Sequence, residues 1–220
     1  TPSPTDYIGH WKLDETNAAV DVVDSSPEEE DGEPKNGAGI NLSDKAPLSF
    51  SNTASRDFDG VDDYIKFTGN SSHLFPVSIT VSFWVKSDVS PGSRDGIVCK
   101  TNSNTWTQGW GFYFNSNSQV TFFIEEYWLN YARSTINPTE WNHIVGTYNG
   151  SDMKIYVNGI GGSISDTYSG NPNTGKKLTI GRCGDSDLAN AFNLNGKIDD
   201  VRVYDYVLTA DEISALASGN

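Results

Sequence analysis

Short runs of alternating hydrophobic and polar residues occur throughout this chain and predict a succession of β-strands. In the clearest run, Ile79, Val81 and Phe83 share one face, and mostly polar residues occupy the positions between them. A period of two is typical of a strand, because successive side chains point to opposite faces. Many short strands separated by turn residues predict an all-β fold, a two-sheet antiparallel β-sandwich of the jelly-roll type. Further runs lie at 96–100, 109–115, 119–127, 142–148, 153–158, 178–181 and 198–204.

One short helix is predicted at the C-terminal end. Thr209 and Glu212 have the spacing of a capping box, in which each side chain accepts the backbone N–H of the other residue. Residues 6–220 contain no internal repeat and no sign of a second domain, so we expect a single sandwich domain. The Pro-rich residues 1–5 are interpreted as an interdomain linker, which indicates a module of a longer protein.

Charge narrows the range of partners. The chain has 29 acidic and 15 basic residues, a formal net charge of −14. Such a protein repels phosphate backbones, so neither nucleic acid nor anionic membrane is an expected partner. With no run of 18 apolar residues, membrane insertion is not expected either. Neutral glycans, cationic groups and divalent cations remain compatible, although the acidity alone would keep a secreted protein soluble.

The chain has two cysteines, Cys99 and Cys183, each next to a predicted strand. Two thiols without nearby histidines are too few for a zinc site. A single disulfide formed in an oxidising compartment is the favoured interpretation, and two buried thiols are the alternative.

Five segments of the chain, in the same order, resemble the laminin G-like family of the concanavalin A-like lectin and glucanase superfamily. The fourth contains Trp-Asn-His-Ile-Val-Gly-Thr-Tyr, and the last contains Tyr-Asp-Tyr-Val-Leu-Thr-Ala-Asp-Glu-Ile. The resemblance implies a secreted or cell-surface β-sandwich that binds a ligand, most often a glycan, and often holds a structural calcium ion. It does not by itself imply an enzyme. The segments are 9–14, 58–67, 81–86, 141–156 and 196–213.

This resemblance, together with the turn residues, predicts a calcium site. Calcium takes several oxygen ligands at about 2.3–2.6 Å, from carboxylates and from carbonyls in tight turns. The first and last strands of such sandwiches commonly pair, which would bring candidate oxygens together. Turn formation alone is the alternative role of these Asp and Gly residues. The predicted ligands are Asp24, the carbonyl of Gly60, Asp62, and either Asp199 or Asp200.

Asp199 and Asp200 would point to opposite faces of an extended strand, so only one of them is expected in the site. Asp199 shares the face of two valines and needs a partner, which favours it as the ligand. Asp200 could instead pair with Arg202 on an exposed surface.

Aromatic and polar residues between 102 and 133 form a candidate sugar-binding surface. Sugars stack on flat aromatic faces and take hydrogen bonds from flanking polar groups. On the predicted strand 119–129, the apolar set Phe122, Ile124 and Trp128 is expected to face the core, with the opposite face exposed. Trp106 lies in a polar loop, where a structural role is an equal alternative. The predicted ligand-binding residues are Trp106, Trp110, Glu125, Tyr127 and Arg133.

Catalysis is not expected from these residues. Retaining glycoside hydrolysis needs two carboxyl groups about 5 Å apart, and adjacent Glu125 and Glu126 point to opposite faces of a strand unless a bulge intervenes. The three histidines are scattered, and His143 is expected to pack within a buried strand.

The sequence therefore predicts a non-catalytic, calcium-stabilised carbohydrate-binding or adhesion module of a larger secreted protein, acting as a monomer. A protein-interaction or spacer domain is the alternative, and a glycan hydrolase or lyase is a third possibility. The sequence does not distinguish which glycan is bound.

Overall fold

The computed structural model describes residues 5–69, 74, 77–92, 94–101, 106–116, 118–161, 165–167, 177–184 and 192–220. Within them the chain forms two antiparallel sheets and one short C-terminal helix, which confirms the predicted sandwich. Residues 1–4 of the predicted linker lie outside the described residues. No helix in this part of the chain is long and apolar enough to cross a membrane.

The described residues contain sixteen strands and one helix. In chain order they are β1 (Gly9–Trp11), β2 (Gly32–Lys35), β3 (Gly39–Asn41), β4 (Ser55–Asp59), β5 (Tyr64–Phe67), β6 (Ile79–Ser87), β7 (Asp95–Lys100), β8 (Thr107–Asn115), β9 (Gln119–Glu126), β10 (Tyr131–Thr135), β11 (Asn142–Tyr148), β12 (Asp152–Val157), β13 (Ile160–Gly161), β14 (Ser165–Thr167), β15 (Leu178–Ile180) and β16 (Asn195–Tyr204). The helix α1 spans Ala210–Ala217.

The two sheets differ in strand order. Sheet A has the order β13-β12-β11-β6-β16-β4-β3, with β1 beside β16 and β14 beside β12. Sheet B has the order β10-β9-β8-β7-β15-β5-β2. Because β1 pairs with β16, from Gly9 opposite Val203 to Trp11 opposite Val201, the first and last strands are neighbours as expected.

The main hydrophobic core lies between the sheets. Phe83 of β6 meets Phe112 of β8 edge to face, with ring centroids 4.9 Å apart. Gly146 of β11 allows this close approach, since a Cβ there would lie 2.5 Å from the Phe112 ring. Phe122 stacks on Phe112 at 4.7 Å. Burial of such large rings is the main source of stability for a sandwich of this kind.

Helix α1 covers part of the outer face of sheet A. Thr209 and Glu212 form the predicted capping box, with both reciprocal hydrogen bonds present. Ile213 and Leu216 are buried in a second hydrophobic cluster that also contains Val145 of β11 and Tyr204 of β16. The helix therefore packs through its apolar face, as its sequence pattern requires.

Candidate functional site

The outer face of sheet B carries a row of side chains that crosses three strands. Tyr113 of β8 lies opposite Thr121 of β9, and Thr121 lies opposite Arg133 of β10. The Arg133 Nε–H donates a hydrogen bond to Thr121 Oγ1 at 3.1 Å. The neighbouring residues Phe112, Phe122 and Ala132 belong to the main core. The row therefore points away from the core, as alternation requires.

A second group of buried rings lies on this outer face; we call it the outer aromatic cluster. It comprises Trp106, Tyr113 and Phe123 with the Cys99–Cys183 pair, and the half-buried Tyr127 and Tyr131 pack against it. The Trp106 and Phe123 rings are stacked, with centroids 6.3 Å apart and planes at 8°. Sheet B is thus hydrophobic on both faces in this region.

The two cysteines form a disulfide with a Cα–Cα distance of 5.0 Å. Cys99 lies on β7, and Cys183 follows β15. Gly111 of β8 makes room for the bond, because a Cβ there would lie 2.6 Å from Cys99 Sγ and 2.8 Å from the Phe123 ring. The disulfide is therefore a buried member of the outer aromatic cluster.

A cleft of about 270 Å³ opens above the outer aromatic cluster; we call it the sheet-B cleft. Trp128 stands at its rim with 47% of its surface exposed, edge to face with Tyr127 at 4.8 Å. The cleft combines flat rings, an amide and two guanidinium groups, which are the groups that protein sites use to hold sugar rings and their hydroxyls. It is lined by Arg94, Tyr113, Asn115, Tyr127, Trp128, Tyr131 and Arg133.

The two arginines of the cleft are held by aromatic neighbours. Arg94 Nη1 donates a hydrogen bond to the Tyr127 hydroxyl. The guanidinium carbon of Arg94 lies 5.3 Å from the Tyr127 ring centroid and 5.1 Å from that of Phe192. Arg133 lies over the Tyr131 ring at 4.5 Å. These cation–π contacts orient both guanidinium groups before any ligand arrives.

Two of the five predicted ligand-binding residues, Tyr127 and Arg133, line the cleft. Trp106 lies beneath it, only 5% exposed, with its ring 5.3 Å from that of Tyr127. Its place in the outer aromatic cluster corresponds to the structural alternative for this residue. Glu125 is half-buried with φ of +64° and does not line the cleft.

The expectation for Trp110 was wrong. Its side chain is fully buried in the main core, and its indole Nε1 donates to the carbonyl of Leu74 at 3.0 Å. Trp110 shares the inward face of β8 with Phe112 and Phe114, so alternation places it away from the cleft.

The assignment of Trp128 to the core face was also wrong, because β9 ends at Glu126. A tight turn follows, in which the N–H groups of Leu129 and Asn130 both donate to the Glu126 carbonyl at 3.0 Å. The chain reverses there into β10 and leaves Trp128 outside. The alternation of Tyr131 and Arg133 along β10 was the signal that could have identified this strand's contribution. Arg94, Tyr113 and Asn115 also contribute to the cleft and had no distinct sequence signal.

The four predicted calcium ligands do not converge. Asp24 holds a local turn, where its carboxylate accepts the N–H groups of His10, Ser26 and Glu30 at 2.9, 2.8 and 3.1 Å. Asp199 lies along β16, and its Oδ2 accepts the amide of Asn52 at 2.8 Å and the N–H of Ala46 at 3.0 Å.

Strand register explains this separation. Asn195 of β16 lies opposite Asp59, directly before the β4–β5 turn. Asp199 is four residues further along β16, which is about 13 Å at the usual rise of a strand. Only Gly60 and Asp62 of the predicted set lie together, within that turn.

A different set of carboxylates meets at the β4–β5 turn. Ligand atoms of Asp59, Asp62 and Asp63 all lie within 4.8 Å of one another. Burial raises the pKa of Asp63; the Asp59 N–H hydrogen bond opposes this, and the charges of Asp59 and Asp62 add to the rise. Asn193 donates to the Val61 carbonyl of this turn, and its Oδ1 is buried with no hydrogen-bond partner among the described residues.

Asp200 is buried rather than exposed, which corrects the expected surface pair with Arg202. The register of β16 against β6 shifts between Asp199 and Arg202, and Asp200 has φ of +48°. Asp200 therefore accepts hydrogen bonds from His10 at 2.9 Å and from Arg202 at 2.9 and 3.1 Å. Burial acts to raise the pKa of Asp200, but these two partners hold it below its usual value.

Asp199 has the opposite electrostatic environment. Burial raises the pKa of Asp199 to about 8, although the hydrogen bonds from Asn52 and Ala46 act to lower it. Its Oδ1 has no hydrogen-bond partner within the described part of the chain. This carboxyl group is therefore neutral over much of the neutral pH range.

His143 is packed on sheet A, as its strand position predicted. Its Nε2 lies 2.8 Å from Ser82 Oγ, and both side chains are buried. Burial lowers the pKa of His143 to about 3, so the ring is neutral at physiological pH. A serine and histidine closed off from solvent in this way have no access to a substrate and act as structural polar groups.

The comparisons with known proteins agree with the fold. A laminin G-like family model, described as concanavalin A-like lectin/glucanases superfamily, matches residues 59–214, more than two thirds of the chain. No curated protein has a matching sequence.

Several solved structures are similar to this chain at low sequence identity. Domain 4 of an extracellular arabinanase from Geobacillus stearothermophilus, solved with arabinotriose, has a TM-score of 0.67 and 16% identity, covering 96% of this chain and 98% of that domain. The receptor-binding domain of botulinum neurotoxin mosaic serotype C/D has a TM-score of 0.67 and 15% identity over 98% of this chain. A Trypanosoma rangeli sialidase has a TM-score of 0.69 and 16% identity over 97% of it. This chain spans 51% of the toxin domain and 33% of the sialidase.

Proposed function

We propose that this chain, which belongs to the laminin G-like family of the concanavalin A-like lectin and glucanase superfamily, is a carbohydrate-binding module without catalytic activity. The sheet-B cleft is its glycan site. Tyr131 and the rim residue Trp128 offer faces for sugar C–H groups, and Asn115 offers an amide for hydroxyls. The observation that carries the proposal is that partly exposed rings, an amide and two guanidinium groups line one cleft on the same sheet face.

The similar structures support a binding role. The arabinanase domain was solved with arabinotriose, and a botulinum neurotoxin DC binding domain was solved with SialylT. Glu125 and Glu126, which precede Tyr127 in sequence, are not among the residues that line the cleft. A pair of carboxyl groups across the bound sugar, which glycoside hydrolysis requires, is therefore not present among its described lining residues.

The proposal is tested by measuring affinity for a panel of purified polysaccharides and oligosaccharides. Trp128→Ala should weaken binding about tenfold, the value of one aromatic stacking contact of about 1.4 kcal/mol. Leu129→Ala is the matched control, because Leu129 is the next residue, is 55% exposed and does not line the cleft. Equal affinities for the two variants would place the glycan elsewhere.

The panel also separates the alternatives. A protein that binds no saccharide in the panel would be better described as a protein-interaction or spacer domain. Release of reducing ends or of unsaturated products would indicate a hydrolase or a lyase. Analytical ultracentrifugation with and without the bound saccharide tests the monomeric state.

We also propose that calcium binds at the β4–β5 turn, through the Asp59, Asp62 and Asp63 carboxylates in place of the set expected from sequence. Three carboxylates at this spacing offer the hard oxygen ligands that calcium prefers. A bound cation would relieve the repulsion within the triad. Calcium should raise the melting temperature and chelator should lower it. Asp62→Asn should remove most of this difference, and Asp205→Asn, an exposed carboxylate after β16, should retain it.

A secreted or cell-surface location is proposed from the Cys99–Cys183 disulfide, since such bonds persist in oxidising compartments. Protein exported to a bacterial periplasm should contain no reactive thiol. Protein retained in a reducing cytoplasm should contain two, and should be less stable. Two reactive thiols in the exported protein would contradict this proposal.

A further inference from the structure

The charge of the sheet-B cleft is opposite to that of the protein as a whole. Acidic residues outnumber basic ones 29 to 15 in the chain. The described lining of the cleft nevertheless contains two arginines, Arg94 and Arg133, and no carboxylate. A local concentration of positive charge against this background makes the cleft the place where an anionic group is favoured.

Each guanidinium group packs against aromatic rings of the kind on which a sugar stacks. Arg94 bonds to the Tyr127 hydroxyl and lies over the Tyr127 and Phe192 rings. Arg133 is positioned by Thr121 Oγ1 and lies over Tyr131. A planar guanidinium fixed in this way matches the oxygens of a carboxylate or sulfate with little loss of side-chain freedom. Cation and ring are thus presented to the same ligand.

The carboxylates that adjoin the cleft residues in sequence do not line the cleft. Asp95 follows Arg94, and its Oδ2 accepts the Gly92 N–H at 2.6 Å. Glu125 and Glu126 precede Tyr127 and are half-buried outside the lining. The described lining is therefore cationic and aromatic, a combination that suits an anionic sugar better than a neutral one.

We infer that the ligand of the sheet-B cleft is a saccharide that carries an oxyanion, a carboxylate or a sulfate, bound between Arg94 and Arg133 with its ring on the neighbouring aromatic side chains. This inference rests on the proposed glycan-binding function and makes it more specific. A neutral glycan would stack on the rings but would form no charge-assisted contact with the two guanidinium groups. A small anion without a ring would contact only the guanidinium groups.

The experiment compares matched pairs of polysaccharides by calorimetry at physiological ionic strength. One pair is polygalacturonate and its fully methyl-esterified form, and the other is dextran sulfate and dextran. At least one acidic member should bind about tenfold or more tightly than its neutral partner, the difference expected for one charge-assisted contact. The protein's net charge of −14 opposes non-specific binding of a polyanion, so a preference of this sign reports on a local site.

Two charge variants identify the site. Arg133→Gln should weaken binding of the acidic member about tenfold and leave that of the neutral member unchanged. Lys154→Gln removes the same unit charge from an exposed position on β12, in sheet A, and should leave both affinities unchanged. Arg133→Lys keeps the charge but not the planar fork, and should fall between wild type and Arg133→Gln.

The results separate failure of the inference from failure of the proposed function. Neutral saccharides bound in a Trp128-dependent manner, without preference for the acidic members, would overturn the inference and leave the function standing. Equal losses in Arg133→Gln and Lys154→Gln would also overturn the inference. Absence of binding to every saccharide, neutral or acidic, would overturn both. A preference confined to one pair would identify the oxyanion as a carboxylate or a sulfate.

Discussion

The ring of Tyr127 lies 5.3 Å from that of Trp106, at an angle of 66°, and the two residues occupy different layers of the same site. Tyr127 lines the sheet-B cleft, whereas Trp106 is 5% exposed beneath it. The surface that would contact a ligand is therefore supported by a buried ring. Substitutions in these two layers should have separable effects.

Trp106→Ala should destabilise the fold by about 3–5 kcal/mol, because it removes a large buried ring and leaves a cavity. Trp128→Ala, at the exposed rim, should change the free energy of unfolding by about 0.5 kcal/mol or less. Urea denaturation of both variants measures the difference. Similar values for the two variants would contradict the burial of Trp106 in the outer aromatic cluster.

Reduction of Cys99–Cys183 should lower the free energy of unfolding by roughly 4 kcal/mol, because the bond closes a loop with a sequence separation of 84. Since the disulfide is part of the outer aromatic cluster that supports the cleft, reduction should also weaken glycan binding. Urea curves with and without reductant measure the first effect. The double variant Cys99→Ala with Cys183→Ala controls for the reagent and should not respond to it. Identical curves for oxidised and reduced wild type would contradict the prediction.

Asp199→Asn should remove a loss of stability that the wild type shows as pH rises. The pKa of Asp199 is about 8 in the folded state, against a usual value of 3.8, so between these values the folded chain keeps a proton that the unfolded chain has lost. Stability then falls as pH rises from about 4 to about 8, by an amount on the order of a few kcal/mol. Asn mimics the neutral acid and should flatten the curve.

Melting temperatures measured from about pH 4 to about pH 9, a range that covers the whole Asp199 transition, provide the test. Asp205→Asn removes an exposed carboxylate from just beyond β16 and should keep the wild-type slope. If Asp199→Asn and wild type differed by the same amount at every pH, Asp199 would be ionised in the folded protein.

His143→Gln should change the pH dependence of stability in the acid range, in the direction opposite to that of Asp199→Asn. The pKa of His143 is about 3 in the folded state, against 6.5 ordinarily, so the unfolded chain binds a proton that the folded chain excludes. Wild-type stability from this group is lost as pH falls from about 6.5 toward 3. The variant, which has no titratable group at this position, should lose less stability than wild type between neutral and acid pH.

Urea midpoints of His143→Gln and wild type at pH 7 and in the acid range measure this effect. The difference between the two proteins should change with pH in favour of the variant. A constant difference would mean that the ring is already charged in the folded state. Because Asp199 and His143 have opposite slopes between about pH 4 and 6.5, each must be measured against its own variant.

The strands could be predicted because most of them bury one face in the core. The alternation of Ile79, Val81 and Phe83 is the same alternation that places these residues between the sheets. The helix could be predicted from Thr209 and Glu212 because capping is a local interaction. The alternation of hydrophobic and polar residues and the capping box both involve residues close together in sequence, so they can be identified without the tertiary structure.

The cleft was predicted only in part, because its strands are apolar on both faces. Phe122 belongs to the main core and Phe123 to the outer aromatic cluster, and alternation alone does not say which face is which. The turn after Glu126 exposes Trp128, and the register shift before Arg202 buries Asp200. Turns and register shifts depend on contacts with other strands, which a local pattern does not contain.

Both ends of the described chain lie against sheet A, where Tyr7 packs in the same cluster as Ile213 of helix α1. The sheet-B cleft opens on the other layer of the sandwich. A resin, sensor chip or fusion partner joined through either end would therefore lie on the sheet-A side of the module and leave the sheet-B cleft unobstructed. Immobilised copies should present the cleft to a polymer in solution and retain the affinity of the free protein.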